Sequence, residues 1–528
     1  MAFRKFHRWI VASLLLVLLI PFTGQQQAKA ANIITMVLDG KQLVSDIPPY
    51  IMPKVNVTMV PIRVISEGLG AAVAWNQSAK TADISGGSHT ITLTSGKKTA
   101  LVDGASVALD ASVQLRGGRV LVPLRFVGEQ LGLQVDWDQV TRTITLTSNA
   151  YIPTEPPGES GGSGSGQLRG AWISTVYNLD WPTTSSYGKI EQQKQEYSAL
   201  LDKLQAMGLN AVFVQVRTAG DALYPSNLVP WSKVLTGTQG KDPGYDPLQY
   251  MVEETHKRGM QFHAWFNPFR ANLDTTTSKL AANHVAVQHP DWVVSINNQL
   301  IINPGIPEAR QHIIDVVMEV VNKYDIDGVH LDDYFYPSSG TFSDDAAFTA
   351  YNSQGLSKAD WRRDNINQFV QRLGQSIHAS KPAVQFGISP FGVWRNQSND
   401  PTGSDTKASV TAYDSMYADV RTWVKQRWID YVAPQIYWSM SFKIAQYDKL
   451  VDWWAQEVQG TGVDLYIGHA PYKLGTAEAG WQSAQEIINQ LQYNTKYDAV
   501  KGSIFYSAKD LLKNPLGIVQ ALTAYYQQ

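Results

Sequence analysis

The sequence predicts an α/β protein, a (β/α)8 TIM barrel preceded by a smaller α+β domain built from an internal repeat. Three observations predict it. From Gln167 onward, eight short apolar segments alternate with amphipathic stretches; residues 59–75 recur at 121–137 with a fixed offset of 62; and a run of Pro, Gly and Ser parts the two regions. With 528 residues, 17% charged, 44% hydrophobic and a formal net charge of −2, the chain has an ordinary globular composition and room for more than one domain. That charge balance offers no general attraction for nucleic acid, which needs clustered positive charge. Cysteine is absent. Disulfides, thiolate catalysis, zinc–thiolate sites and iron–sulfur clusters are therefore excluded.

The first element is residues 1–30. Arg4, Lys5 and Arg8 precede an apolar run from Trp9 to Phe22, and the stretch ends Ala28-Lys29-Ala30. A basic start, a short apolar centre and a small-x-small end are the pattern of a cleavable secretory signal peptide. The run is short for a bilayer span, which needs about 20 apolar residues. Cleavage takes away four positive charges and moves the net charge from −2 to −6. No second long apolar run follows. The expectation is an exported chain without a membrane span, secreted or held at the cell wall.

The repeat comes next, over residues 32–149. Met59-Val-Pro-Ile-Arg63, Glu67, Leu69-Gly70, Val73 and Trp75 return as Leu121-Val-Pro-Leu-Arg125, Glu129, Leu131-Gly132, Val135 and Trp137. Each copy reads as a strand ending in Pro, a short helix closed by Leu-Gly, and an alternating strand. Arg63, Glu67, Arg125 and Glu129 are read as structural pairs fixing helix to sheet. These two cores resemble the copper amine oxidase N-terminal-like domain of exported Gram-positive proteins. The resemblance implies a spacer or wall-binding module, through which the chain could attach to the wall. It does not bring a copper site, because His89 is the only histidine of the region. Residues 150–167 form a linker, stiffened by Pro in its first half and loosened by Gly and Ser in its second.

Residues 168–528 carry the barrel. The expected strands are Arg169–Thr175, Ala211–Arg217, Gln261–Asn267, Asp327–Asp333, Gln385–Pro390, Tyr431–Tyr437, Asp464–His469 and Gly502–Ser507, separated by helices such as Gln193–Met207, Pro247–Arg258, Glu308–Tyr324 and Trp361–Ala379. No Gly-x-Gly-x-x-Gly follows the first strand, so an open dinucleotide-binding sheet is unsupported. In a barrel the chemistry sits at the C-terminal ends of the strands. Those ends supply carboxylates, amides and aromatic faces, a lining that suits the hydroxyls and apolar C–H faces of a glycan. Arg217, His330, Asn267 and Gln435 are candidates to bind sugar hydroxyls or developing charge. Trp265, Tyr437 and Trp438 are candidate stacking platforms, and His469 and Trp394 candidate substrate contacts. His256, His284, His289 and His312 read as solvated or satisfied structural residues. The sequence has no His-Glu-x-x-His and no Gly-x-Ser-x-Gly elbow between a strand and a helix, the string Gly158-Glu-Ser-Gly-Gly162 lying in the linker, and neither metal nor organic cofactor is required.

The strongest motif is Gly328-Val-His-Leu-Asp332-Asp333-Tyr-Phe-Tyr-Pro337. Alternation along a strand puts His330 and Asp332 on one face and Asp333 on the other, unless the strand ends and redirects it. Glycoside hydrolysis commonly uses two carboxyl groups. Asp332 is the first candidate; Asp333 and Asp221 are candidates for its partner, with Asp180 and Glu308 as further possibilities. Opposite strand faces make Asp333 a poor partner on this reasoning.

The runs Arg169-Gly-Ala-Trp-Ile173, Gln215-Val-Arg217, Gly220–Pro225, Pro230-Trp-Ser232, Phe262–Pro268, Gly328–Pro337 and Ala433–Trp438 together resemble glycoside hydrolase-like family 10. The resemblance implies a (β/α)8 hydrolase of bacterial envelopes, a glycosidase whose polysaccharide substrate is peptidoglycan glycan stripped of its peptides. More distantly, Gly-x-His-Leu-Asp332 is similar to the fourth strand of α-amylase-type barrels, whose Asp is the nucleophile. His330 stands where that pattern has Arg, and Phe386-Gly-Ile-Ser-Pro390 has no Glu to act as the acid. A barrel that kept its cleft and only binds glycan, or a hydrolase of an exopolysaccharide, are the competing readings.

Overall fold

A computed structural model describes residues 34–148, apart from positions 39–40, 44, 46, 54, 56, 70–71, 87–88, 132 and 139–141, together with residues 167–527. The expected signal peptide, nearly all of the linker, and the helix-closing Gly70 and Gly132 lie outside the described residues. The chain divides into two compact units, Met1–Pro153 and Thr154–Gln528.

In the first unit both copies of the repeat fold alike. Val57–Pro61 leads into the helix Ile62–Gly68, and Arg119–Pro123 into the helix Leu124–Leu131. The two Val-Pro strands pair antiparallel with each other, Pro61 opposite Leu121, Val60 opposite Val122 and Met59 opposite Pro123. The helices are followed by the hairpins Ala72–Asn76/Thr81–Gly86 and Leu133–Asp138/Thr143–Ser148. The first hairpin is extended by His89–Thr94, antiparallel to Thr81–Gly86. The second is extended by the N-terminal strand Thr35–Leu38, which runs parallel to Thr143–Ser148. A shared core of Ile62, Ile65, Ile84, Ile91, Phe126 and Ile144 holds these layers together. Arg125 reaches across to Asp110 at 3.5 Å, with both side chains exposed, a contact worth little.

In the second unit eight parallel strands close a barrel in chain order: β1 (Leu168–Ile173), β2 (Ala211–Arg217), β3 (Gln261–Phe266), β4 (Gly328–Leu331), β5 (Gln385–Ile388), β6 (Tyr431–Val432), β7 (Asp464–His469) and β8 (Val500–Phe505). β8 returns to β1 with Ile504 opposite Gly170. The helices α1 (Ile190–Ala206), α2 (Pro247–His256), α3 (Pro307–Lys323), α4 (Lys358–Ser380), α5 (Val420–Lys425), α6 (Tyr447–Val458), α7 (Gln485–Asn494) and α8 (Ile518–Tyr526) follow the strands in turn. All eight expected strands are present. β6 is much shorter than the expected Tyr431–Tyr437, because Pro434 has no N–H to donate and the ladder breaks there. The chain then touches its neighbours only at Gln435, by single bridges to Phe391 and Gly468. One element was not expected. The β3–α3 connection carries a small antiparallel sheet of Arg270–Asn272, Val293–Ile296 and Gln299–Ile302. Its hairpin turns at Asn297-Asn298, both at positive φ, as a two-residue type I′ turn requires.

The lower rim is tied by a device used twice. Asp327, ahead of β4, accepts the Phe262 N–H of β3 at 2.7 Å and His256 Nε2 of α2 at 2.8 Å. Asp430, ahead of β6, accepts the Phe386 N–H of β5 at 2.6 Å and His378 Nε2 of α4 at 2.9 Å. Each aspartate joins a strand to the helix that precedes that strand. The upper rim is thereby left for longer loops and for chemistry. Among the described residues, no helix is long and apolar enough to cross a membrane.

Candidate active site

The site stands on a polar layer inside the barrel. His330 of β4 is wholly buried. Trp172 Nε1 of β1 lies 3.0 Å from its Nε2, and Tyr431 Oη of β6 lies 3.0 Å from its Nδ1. An indole N–H can only donate, so His330 Nε2 accepts and the ring proton sits on Nδ1, pointing at Tyr431. Tyr431 in turn lies 3.2 Å from His263 Nδ1 of β3. Burial holds the pKa of His330 well below 6.5, with His263 adding to the effect, and takes His263 itself down to about 4. Both rings are neutral. The layer fits because Gly328 leaves space for it: a Cβ there would stand 2.2 Å from His263 Nδ1.

Just past the end of β4 is Asp332, 4% exposed. Its Oδ2 accepts Trp265 Nε1–H at 3.1 Å and Asn267 Nδ2–H at 3.0 Å, both from the end of β3, and its Oδ1 accepts the Tyr334 N–H at 3.2 Å. Burial pushes the Asp332 carboxyl up to about 7, the Asp333 charge adds to this, and Arg270 with the N–H donors opposes it. β4 ends at Leu331, so the strand alternation that would turn Asp333 away no longer applies. Asp333 is half-buried and accepts Gln435 Nε2–H at 3.0 Å, while the same amide reaches Ser389 O at 2.9 Å. Burial raises its carboxyl as well, against Gln435 and Arg270. The end of β4 removes the argument from opposite strand faces against Asp333 as a partner, and the Asp333 charge adds to the rise at Asp332.

Arg270 and four tyrosines surround the pair. The Arg270 guanidinium stacks on Tyr334, 4.7 Å from the ring centroid, and donates to Thr218 O at 3.3 Å. Tyr437, Tyr472 and Tyr506 stand 6.0–6.2 Å from one another, ring centre to ring centre. Charge on Asp333 and Asp332 reaches Tyr334 directly, and Tyr437 faces both Asp333 and Tyr334. Tyr334 and Tyr472 are 55% and 41% exposed, which opens the rim to solvent. Arg270, Tyr334, Tyr472 and Tyr506 are strand-end residues of the expected cleft lining, placed just past β3, β4, β7 and β8. Trp438 is half-buried and meets Phe391 edge-on at 5.6 Å.

Four of the expected substrate contacts are buried among neighbouring side chains. His330 lies in the layer beneath, where Trp172 fixes it as a neutral acceptor. His469 is wholly buried between Tyr447 and Phe505 and bonds Gln490 and Ser503 at 2.9 and 3.1 Å. Trp394 is 4% exposed and stacks on Trp453 at 5.6 Å. Arg217 is wholly buried and donates Nη1–H to the carbonyls of Asn267 and Pro268 at 2.5 and 2.9 Å, holding the turn after β3. His330 is removed by depth, and His469 and Trp394 by packing against the helices α6 and α7.

The remaining carboxylates are also accounted for. Asp221, 4% exposed, accepts the Thr218 hydroxyl at 3.2 Å and sits with Arg217 and His284 as electrostatic neighbours. Asp180 is taken by the Ser174 and Lys509 N–H groups and the Ser507 hydroxyl at 2.7–2.8 Å. Glu308 is exposed in the first turn of α3. Of the outlying histidines, His256 bonds Asp327, His284 caps a short helix, and His289 stacks on Trp292 at 3.7 Å. No group of three or more His, Asp or Glu in a metal-holding arrangement occurs among the described residues.

The family model "Glycosyl hydrolase-like 10" matches residues 167–484, and "Copper amine oxidase N-terminal domain" matches residues 37–146. The chain is 53% identical over 363 residues to glycosyl hydrolase YngK of Bacillus subtilis, covering 68% of this chain and 71% of that protein. It is 44% identical over 372 residues to glycosyl hydrolase DigH of Escherichia coli, covering 66% of this chain and 84% of that protein.

Proposed function

For a chain that belongs to the glycosyl hydrolase-like 10 family and is a glycosidase, we propose a substrate and a setting: the glycan of the bacterial cell wall, freed of its peptides, cleaved outside the cytoplasm. The observation that carries the chemistry is the adjacent carboxyl pair Asp332/Asp333 just past the end of β4, both raised by burial. Asp332, raised to about 7, is the general acid that protonates the leaving oxygen, with a pKa matched to a neutral medium. Trp265 and Asn267 hold its Oδ2 and so direct Oδ1 to the substrate. Asp333, positioned by Gln435, carries the negative charge and faces the positive charge that develops on the sugar. Tyr437, Tyr506 and Tyr472 offer ring faces to the apolar side of sugar rings and hydroxyls to their edges.

Export is supported by the N-terminal pattern ending Ala28-Lys29-Ala30, and attachment to the wall by the repeat unit at residues 37–146. The test is incubation of the chain, and of Asp332→Asn, with intact and with peptide-stripped peptidoglycan, followed by mass spectrometry of the soluble products. Fragments from stripped glycan with the unmodified chain alone are expected. Cleavage of an exopolysaccharide but of neither wall preparation would redirect the substrate assignment, and full activity of Asp332→Asn would displace the acid.

A further inference from the structure

We propose that the glycan supplies its own nucleophile: the carbonyl oxygen of a 2-acetamido group on the sugar being cleaved attacks C1, while Asp333 holds the acetamido N–H. This deepens the assignment above and rests on it. A pair of carboxylates acting as acid and protein nucleophile must reach the anomeric carbon from opposite sides, about 5–5.5 Å apart across the bond. Asp332 and Asp333 are consecutive residues, with Cα atoms about 3.8 Å apart, at the end of one strand. Both enter from the β4 side.

The other carboxylates whose charges reach this rim are committed elsewhere. Asp180 accepts three hydrogen bonds, from the Ser174 and Lys509 N–H groups and the Ser507 hydroxyl. Asp510 pairs with Lys513 at 2.6 Å, and Glu478 with Lys473 at 3.0 Å. Asp221 lies beside the buried Arg217. The β6–α6 connection, residues 433–446, contains no carboxylate at all. Among the described residues these carboxylates each have another partner, and a wall glycan carries a nucleophile of its own on every sugar. The surroundings also suit an acetamide. Asp333 has one oxygen bonded by Gln435 and a second to accept an N–H, and the faces of Tyr437 and Tyr506 give its methyl an apolar wall.

The step balances. The acetamido oxygen forms a bond to C1 as the C1–O glycosidic bond breaks, and its electron pair leaves with the oxygen, which takes the proton of Asp332. A cyclic oxazolinium remains, its N–H held by the Asp333 carboxylate. Water then gives a proton to Asp332 and its oxygen to C1, the ring C–O bond opens, and the acetamide is restored. Two displacements at C1 leave the configuration retained.

The experiment uses the full chain and four preparations of peptide-stripped glycan: native, N-deacetylated, and deacetylated then re-acylated with acetyl or with trifluoroacetyl groups. Proton NMR reads the anomer first released. The expected result is full cleavage of the native and re-acetylated glycans with retention, and a fall of about 10²-fold or more for the trifluoroacetyl glycan, whose oxygen is a far poorer nucleophile but which adds no charge. Asp333→Asn should slow the acetylated glycan strongly without abolishing its binding, measured by pelleting. Equal rates for acetyl and trifluoroacetyl glycans, or an inverted product, would overturn the proposal and leave the wall-glycan assignment standing. Failure to cleave even the native glycan would instead remove the assignment on which the proposal rests.

Discussion

Asp332→Asn should stabilise the barrel in alkaline solution while destroying its activity. The carboxyl is moved by burial from an ordinary 3.8 to about 7, so the folded state binds a proton that the unfolded state has already lost. Stability therefore declines as pH rises from about 4 to about 7 and does not return above that range. At about 1.36 kcal/mol per pH unit, an interval of about three units amounts to about 4 kcal/mol of stability forgone at pH 8. Asparagine removes this charge. Its amide nitrogen would face the Tyr334 N–H, now 3.2 Å from Oδ1, a mismatch costing about 1 kcal/mol that is the same at every pH. The quantity to measure is thus the difference between variant and parent at pH 8 less the same difference at pH 4, expected near 4 kcal/mol in favour of the variant. Urea titrations followed by tryptophan fluorescence will report it, since thirteen of the sixteen tryptophans lie in residues 167–528 and the signal belongs to the barrel. An equal effect at both pH values, or a loss confined to pH 8, would refute the reasoning and mean that Asp332 is ionised at little cost.

Three further outcomes follow from the geometry. Asn267→Ala removes a donor that favours ionised Asp332, so the pKa should rise by about one unit; the alkaline limb of the pH–rate profile moves upward as kcat falls, and an unchanged limb would count against Asp332 as the acid. For His378, burial lowers the pKa, but the hydrogen bond and charge of Asp430 outweigh it and the net direction is up from 6.5; the pair's stabilisation is fully present below about 6.5 and lost as pH rises through the folded value, so His378→Gln should lower Tm at pH 6 and leave it nearly unchanged at pH 9. His469→Ala should cost about 2–4 kcal/mol of stability through the cavity and the orphaned Gln490, yet leave kcat/KM of the folded protein within about twofold; a large rise in KM would restore His469 to the site.

The barrel was legible because each of its strands is a short apolar run closed by polar or glycine-rich punctuation, and that pattern survives whatever the loops do. What went unread depended on single residues. Pro434 cuts β6 to Tyr431–Val432, and Asn297-Asn298, an I′ turn signature between two apolar runs, marked the hairpin of the extra sheet. In the site, the aspartate pair could be found from Gly328–Pro337 alone. The relation between its members could not, since it turns on β4 stopping at Leu331 rather than continuing to Asp333. Depth was the other gap. His330 points inward but lies too deep, under Trp172 and Tyr431, whereas His469 shares the face of Leu465 and Ile467 and turns outward to Tyr447 and Gln490 on the helices.

The register between the two Val-Pro strands has a consequence for the history of the smaller unit. Val60 faces Val122, which is its own counterpart in the other copy, and Met59 faces Pro123 as Pro61 faces Leu121. A segment that pairs with its own equivalent in this reciprocal way obeys the rule of a two-fold contact between identical subunits. The unit is in effect a homodimer written on one chain, and an ancestor of half its length would have had to find a second molecule to cover the same edge. A fragment ending after the first copy should behave like that ancestor, associating with itself through Val57–Pro61 instead of persisting alone.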